Sequence, residues 1–259
     1  MLFRSDDMKI LLHISFLGTR YCGYQVQPNG VTVQQRLNEA AEALFGTPCD
    51  IVGCSRTDSG VHAREFCAAV TYHGKSALET TVPIDRMPEA FSRYLPEDIA
   101  VFAAEWVPEE FHPRYDVRYK EYEYRIRNAR PRDPFETDRA WHCPRPIAPE
   151  GLCKMKQAAE YFCGAHDFTS FMAASSGVEN TVRCVYTAEV EREGDTICFR
   201  VSADGFLYHM VRIMTGTLAE VAYGRLEPQD IPAILAAQDR RAAGPTAPAH
   251  GLYLNRVVY

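Results

Sequence analysis

Residues 9–17, KILLHISFL, followed by residues 32–46, TVQQRLNEAAEALFG, decide how the chain is read. The first is an apolar run broken by His13 and Ser15, an alternation that suits a strand. The second opens with Thr32 and Gln35 at the spacing of a Thr-x-x-Gln capping box. It carries Val33, Leu37, Ala41, Leu44 and Phe45 on one helical face and stops at Gly46. Outward from this pair, short strands are expected near 50–54 and 65–72, then a helix bounded by Pro83 and Pro96 and a strand over 99–106. The order is β-α-β-β-α-β.

The second half follows the same order. A strand is expected over 117–126 and a helix over 149–163 with Leu152, Met155, Ala159 and Phe162 buried. Two strands meet at Glu193-Gly194-Asp195, a long helix spans 206–223, a shorter one starts at Pro228, and a last strand covers 252–258. The fold class is therefore α+β, two ferredoxin-like halves of split β-α-β order. The domains are expected at 8–110 and 111–259, with a boundary within 109–116 and the last strand packing back toward the N-terminal half. The halves share no residue-level similarity, so the repeat rests on element order alone.

Composition narrows the function. The 259 residues are 46% hydrophobic and 24% charged, with a net charge of −6, which excludes a generic polyanion binder. Nine cysteines without a C-x-x-C pair support neither a zinc site nor a disulfide framework, and fit a reduced, cytoplasmic protein. No apolar run approaches the roughly 18 residues of a membrane span. Residues 1–7 read as an extension ahead of the first strand.

Chemistry is expected in residues 53–63, GCSRTDSGVHA, a charged loop between two short apolar strands. Small residues at Gly53, Ser55, Ser59 and Gly60 let a ligand approach the backbone. If the stretch around Thr57 is extended, Arg56 and Asp58 project to one side. A carboxylate beside a guanidinium stays ionised, as a nucleophile or general base requires. The competing reading is a surface-turn aspartate paired with its neighbour.

The run Ser55-Arg56-Thr57-Asp58-Ser59-Gly60-Val61-His62-Ala63 resembles the signature of the tRNA pseudouridine synthase A family. Further blocks occur in the family's order: Phe111-His112-Pro113-Arg114-Tyr115, Lys120-x-Tyr122-x-Tyr124-Arg125-Ile126, residues 166–171 (HDFTSF), residues 206–212 (FLYHMVR) and residues 244–254 (GPTAPAHGLYL). Ser55 stands where a glycine is common and Pro113 where an alanine is common.

The resemblance implies two ferredoxin-like halves, their antiparallel sheets facing across a central basic cleft. It also implies an isomerase that converts uridine to pseudouridine at positions 38, 39 and 40 of the tRNA anticodon stem-loop. Such a reaction breaks a C–N bond, makes a C–C bond, and calls for no cofactor and no metal. Asp58 would be the nucleophile, attacking either the anomeric carbon or C6 of the uracil. The target uridine must be flipped out of its stack.

By the same resemblance Tyr122 would form the wall of the base pocket. Its spacing with Tyr124 and Ile126 equally suits a strand core. Arg56 would follow the flipped nucleotide or grip its phosphate. Arg212 lies about 100° round the helix from Val211, at the edge of an apolar face of Leu207, Val211, Met214 and Leu218. There it needs an anionic partner, and the family implies Asp58. A homodimer in which one tRNA touches both subunits is carried over as well. His62, His209 and His250 read as structural, Cys54 as a small buried side chain, and residues 244–249 as positioning.

Two other classes compete. An RNA-binding protein without catalysis would use the same sheets, but the aromatic signature of RNA-recognition modules is absent. A carboxylate hydrolase would need a second acid, and no such pair stands out. Local charge favours tRNA: residues 112–145 hold 9 basic and 6 acidic groups, against 9 and 15 in residues 1–111 and 10 and 13 in residues 146–259. The arginines of 112–145 include Arg114, Arg118, Arg125, Arg127, Arg130 and Arg132.

Overall fold

The structure is a computed structural model and describes residues 8–173 and 178–259; the extension at 1–7 lies outside the described residues. Among the described residues are ten strands and five α-helices, a mixed α/β chain. It divides into two compact units, residues 8–118 with Leu254–Tyr259, and Tyr119–Tyr253.

The first unit runs β1 (Met8–Phe16), α1 (Val33–Phe45), β2 (Cys49–Gly53), β3 (His62–Tyr72), α2 (Met87–Ser92) and β4 (Ile99–Pro108). Its strands lie in the order β4-β1-β3-β2, each neighbouring pair antiparallel. Ile10, Leu12 and Ile14 alternate into the core and are fully buried there. Thr32 Oγ1 caps α1 by accepting from Gln35 N at 3.2 Å. The Gln35 side chain runs along the helix to Glu39 Oε1 at 2.9 Å, so the cap is built from its threonine arm. α1 ends at Gly46 in the left-handed region.

Two bounds differ from the sequence expectation. β3 starts at His62, three residues early, which shortens the loop after β2 to residues 54–61. α2 has six residues after a 3-10 turn at Ile84–Arg86. Pro88 is tolerated in its first turn, and Pro96 turns the preceding residue away from helix.

The second unit contains β5 (Tyr119–Arg127), β6 (Trp141–His142), α3 (Pro149–Glu160), β7 (Gly164–Asp167), β8 (Val182–Glu193), β9 (Thr196–Ala203), α4 (Met210–Ala222) and α5 (Asp230–Ala237). The order β5-β9-β8-β7 is antiparallel, with β6 parallel to the end of β5. The expected hairpin forms at Gly194 between β8 and β9. β6 and β7 are too short to show a period in sequence. The last strand, β10 (Leu252–Val258), joins the first unit from Leu254 onward, beside β3.

α4 departs furthest from expectation. It begins at Met210, after His209 in a left-handed conformation, and eleven of its thirteen residues are buried. It is a core helix rather than a one-faced one. Its Thr215 and Thr217 hydroxyls donate to the carbonyls of Val211 and Ile213, each at 2.8 Å, so these polar side chains sit inside at no loss of hydrogen bonds. No helix among the described residues is long and apolar enough to cross a membrane. All nine cysteines are free thiols.

Candidate active site

The loop at 54–61 is held from below. Cys54 N donates to Cys67 O at 2.8 Å, extending the β2–β3 ladder by one step. Tyr24 N donates to Thr57 O at 3.2 Å, and Ser59 Oγ to Tyr21 O at 3.2 Å. Val61 N donates to Asp58 O at 3.1 Å and closes a turn through Gly60, whose φ of 82° favours glycine. Gly23 has φ 79°, and a Cβ there would lie 2.5 Å from Thr57 O. The 21–24 segment therefore approaches the loop as closely as a glycine permits.

Within the loop, exposure alternates. Arg56 is exposed, Thr57 buried and Asp58 half-buried, the pattern of two charged side chains turned away from a buried one. Beneath them, Thr57 Oγ1 and Tyr24 Oη are buried with no hydrogen-bond partner. Burial pushes the Tyr24 phenol well above its ordinary range, so it stays protonated. Its ring stacks on Phe66 with centroids 4.3 Å apart. Two unsatisfied hydroxyls under one loop are unusual in a folded core and mark a place where packing serves something other than stability. His62 is fully buried, and its Nδ1 accepts from Gly18 N at 2.9 Å, a structural role.

The remaining expected residues lie in the second unit. Tyr122 stands on β5 opposite Val201, 7% exposed, with its ring edge-on to Phe206 at 4.9 Å. Tyr124 on the same strand face is fully buried and donates to Pro248 O at 2.7 Å. Arg212 is half-buried on α4. Its Nε donates to Ala247 O at 2.8 Å while its own carbonyl accepts from Ala247 N at 3.0 Å. This double clasp fixes the guanidinium plane and holds residues 244–249 against α4, aided by Gly244 N donating to Thr217 Oγ1 at 2.9 Å.

Lys120 opens the segment Lys120-x-Tyr122-x-Tyr124 and was not singled out from the sequence. It is 9% exposed, two residues before Tyr122 on the same strand face. A lysine is almost never so buried without an anionic partner. The block spacing was the available signal, but burial of the ammonium could not be read from it.

Of the arginines in the basic segment, Arg114, Arg118, Arg130 and Arg132 are exposed. Arg125 and Arg127 are instead half-buried and engaged with acids: Arg125 with Glu136 at 3.9 Å, Arg127 with Asp133 at 3.7 Å and Asp195 at 3.5 Å. Phe135, in the same connection, is 87% exposed.

The family model described as tRNA pseudouridine synthase matches residues 13–116 and 158–259, most of the chain. The chain belongs to the tRNA pseudouridine synthase family. A tRNA pseudouridine synthase A of Bacillus pumilus (strain SAFR-032) is 43% identical over 97% of this chain and 99% of its own length. That of Moorella thermoacetica (strain ATCC 39073 / JCM 9320) is 45% identical over 95% and 97% respectively. A chain of a solved Cbf5-Nop10-Gar1 complex aligns with a TM-score of 0.38 at 15% identity, over 95% of this chain and 49% of that one. In this tRNA pseudouridine synthase family member, Arg56, Asp58 and Arg212 fall within the matched residues. Lys120 and Tyr122 fall between the two matched segments.

Proposed function

We propose that the chain isomerises uridine to pseudouridine in tRNA, at positions 38, 39 and 40 of the anticodon stem-loop, with Asp58 as nucleophile. The observation that carries this is the loop at 54–61: a half-buried carboxylate beside an exposed arginine, on a backbone braced by residues 21–24, in a member of this family. A flipped uridine costs a few kcal/mol to expose. Tyr122 is proposed to stack on it, a contact worth about 1 to 3 kcal/mol. Arg56 is proposed to hold the extruded nucleotide or its phosphate. Arg212, its guanidinium fixed by Ala247, is proposed as a further substrate-binding residue.

Asp58 either forms an ester at the anomeric carbon as the glycosidic C–N bond breaks or adds to C6 ahead of that cleavage; the uracil turns, its C5 bonds to the anomeric carbon, the bond to Asp58 breaks and returns the carboxylate, and N1 gains a proton as C5 loses one. Nothing is oxidised or reduced. The β4-β1-β3-β2 order in the first unit and the β5-β9-β8 order in the second support the ferredoxin-like reading of each half, though the strands of both belong to one continuous sheet rather than to two separate ones. A homodimer working in the cytoplasm, where unmodified tRNA is met, completes the proposal; nine free thiols support that compartment.

The test is incubation of the full chain with unmodified tRNA, without added nucleotide, followed by mapping of new pseudouridines. Product at positions 38–40 is expected. Product confined to another part of the tRNA would overturn the site, and none at all the activity.

A further inference from the structure

The second face of the first unit's sheet carries a cluster that the chemistry above does not use. The β1–β3 register sets His13 opposite Cys67, and Glu65 lies two residues before Cys67 on the same face. The β1–β4 register sets Glu105 opposite Leu11, again on that face. His13 Nδ1 is 3.3 Å from Glu65 Oε1 and 3.7 Å from Cys67 Sγ, while His13 Nε2 is 3.1 Å from Glu105 Oε1. The donor atoms of His13, Glu65 and Cys67 all lie within 4.8 Å of one another.

A neutral imidazole has one N–H, so with a carboxylate at each ring nitrogen one of the two contacts sets lone pair against lone pair. Either a second proton or a metal cation at Nδ1 removes that conflict. The two spacings from His13 Nδ1, 3.3 Å to Glu65 and 3.7 Å to Cys67, suit the cation, while the Glu65 and Cys67 donors, within 4.8 Å of each other, would draw together on binding. A tetrahedral ion with bonds of about 2.0 Å to nitrogen or oxygen and 2.3 Å to sulfur holds its donors about 3.3 to 3.6 Å apart. With a cation on Nδ1, His13 Nε2 would carry the proton and donate it to Glu105 Oε1, 3.1 Å away, the outer-carboxylate arrangement that orients a ligating histidine.

We propose that His13 Nδ1, Cys67 Sγ and Glu65 Oε1 form a three-ligand site for a divalent cation of the zinc class, with Glu105 as the outer carboxylate. Thiolate, imidazole and carboxylate together select zinc or cobalt over magnesium or calcium. On binding, the thiol proton and any proton on Nδ1 leave to solvent. The side chains of His13 and Glu65 are 19% and 26% exposed, which leaves a path for the ion and a fourth position for water. The ion would tie β1 to β3 directly behind Cys54, where the 54–61 loop begins. Its role is structural, and it stands or falls independently of the tRNA activity.

The test titrates the metal-free full chain with cobalt(II) chloride and follows the absorption spectrum. One equivalent should produce a thiolate-to-cobalt charge-transfer band with tetrahedral ligand-field bands. The band should survive replacement of the exposed Cys153 and Cys163 by serine, and vanish in Cys67→Ser. Because Cys67 is buried and its loss can unfold the unit, His13→Gln and Glu65→Gln decide, with circular dichroism confirming the fold. Each should weaken binding by about tenfold or more, and Glu105→Gln by about 10 to 100-fold. Zinc should raise the unfolding temperature of the wild type and leave that of His13→Gln unchanged. No thiolate band, or a band of unchanged affinity in folded His13→Gln, would overturn the site.

Discussion

Tyr24 shows at the residue scale how the loop trades stability for position. Its hydroxyl is buried without a partner, a state that costs about 1 to 3 kcal/mol, while its ring stacks on Phe66 under the loop. Tyr24→Phe keeps the ring and removes the cost. The unfolding temperature should rise by about 2 to 4 °C for each kcal/mol recovered, read by differential scanning calorimetry; a fall would show that the hydroxyl is satisfied in solution. Lys120→Met belongs to the same scale: a buried ammonium that serves only packing should be replaced with little loss of activity, whereas one that neutralises an anion of the site should lower kcat well before it lowers stability. Single residues were legible in sequence where their neighbours define them, as Asp58 is by residues 55–63. Lys120 was not, because its burial is a property of β5 packed in a sheet. His13, Glu65 and Cys67 were still less so, since the donors stand 52 and 54 positions apart and only strand register unites them.

At the scale of elements, the loop depends on its support. Gly23→Ala meets both an unfavourable left-handed backbone, worth about 1 to 2 kcal/mol, and the Thr57 carbonyl. Faster hydrogen exchange across 54–61 and a matching loss of activity are expected with the rest of the fold intact; unchanged exchange would show the brace to be dispensable. The basic segment divides by pairing. Arg130→Ala and Arg132→Ala should each lower the salt slope of tRNA binding by about 0.7 to 0.9, whereas Arg125 and Arg127, already ion-paired, should change stability first. Equal slopes for all four would contradict this division. Elements with clear periods and caps, β1 and α1 above all, were legible within a residue or so. α4 was misread as one-faced because its threonines look polar in sequence yet satisfy their hydroxyls on their own helix.

For the whole molecule, a net charge of −6 argues against indiscriminate binding of nucleic acid, and the net basic segment at 112–145 is where the proposed tRNA contact is expected. The element order of the first half was readable because its helix caps and strand periods are locally encoded, whereas in the second half β6 and β7 are too short to show a period and α4 starts four residues late. The use of β10 by the first unit, far from it in the chain, was only an expectation from the final strand's position. If the homodimer is the working form, mass photometry should give twice 29.2 kDa at working concentration. The central claim is that Asp58 is the nucleophile. Its most direct measurement is Asp58→Asn assayed side by side for tRNA binding and for pseudouridine formation. Binding within a few-fold of wild type with no detectable pseudouridine is the predicted result; turnover at the wild-type rate would contradict the account.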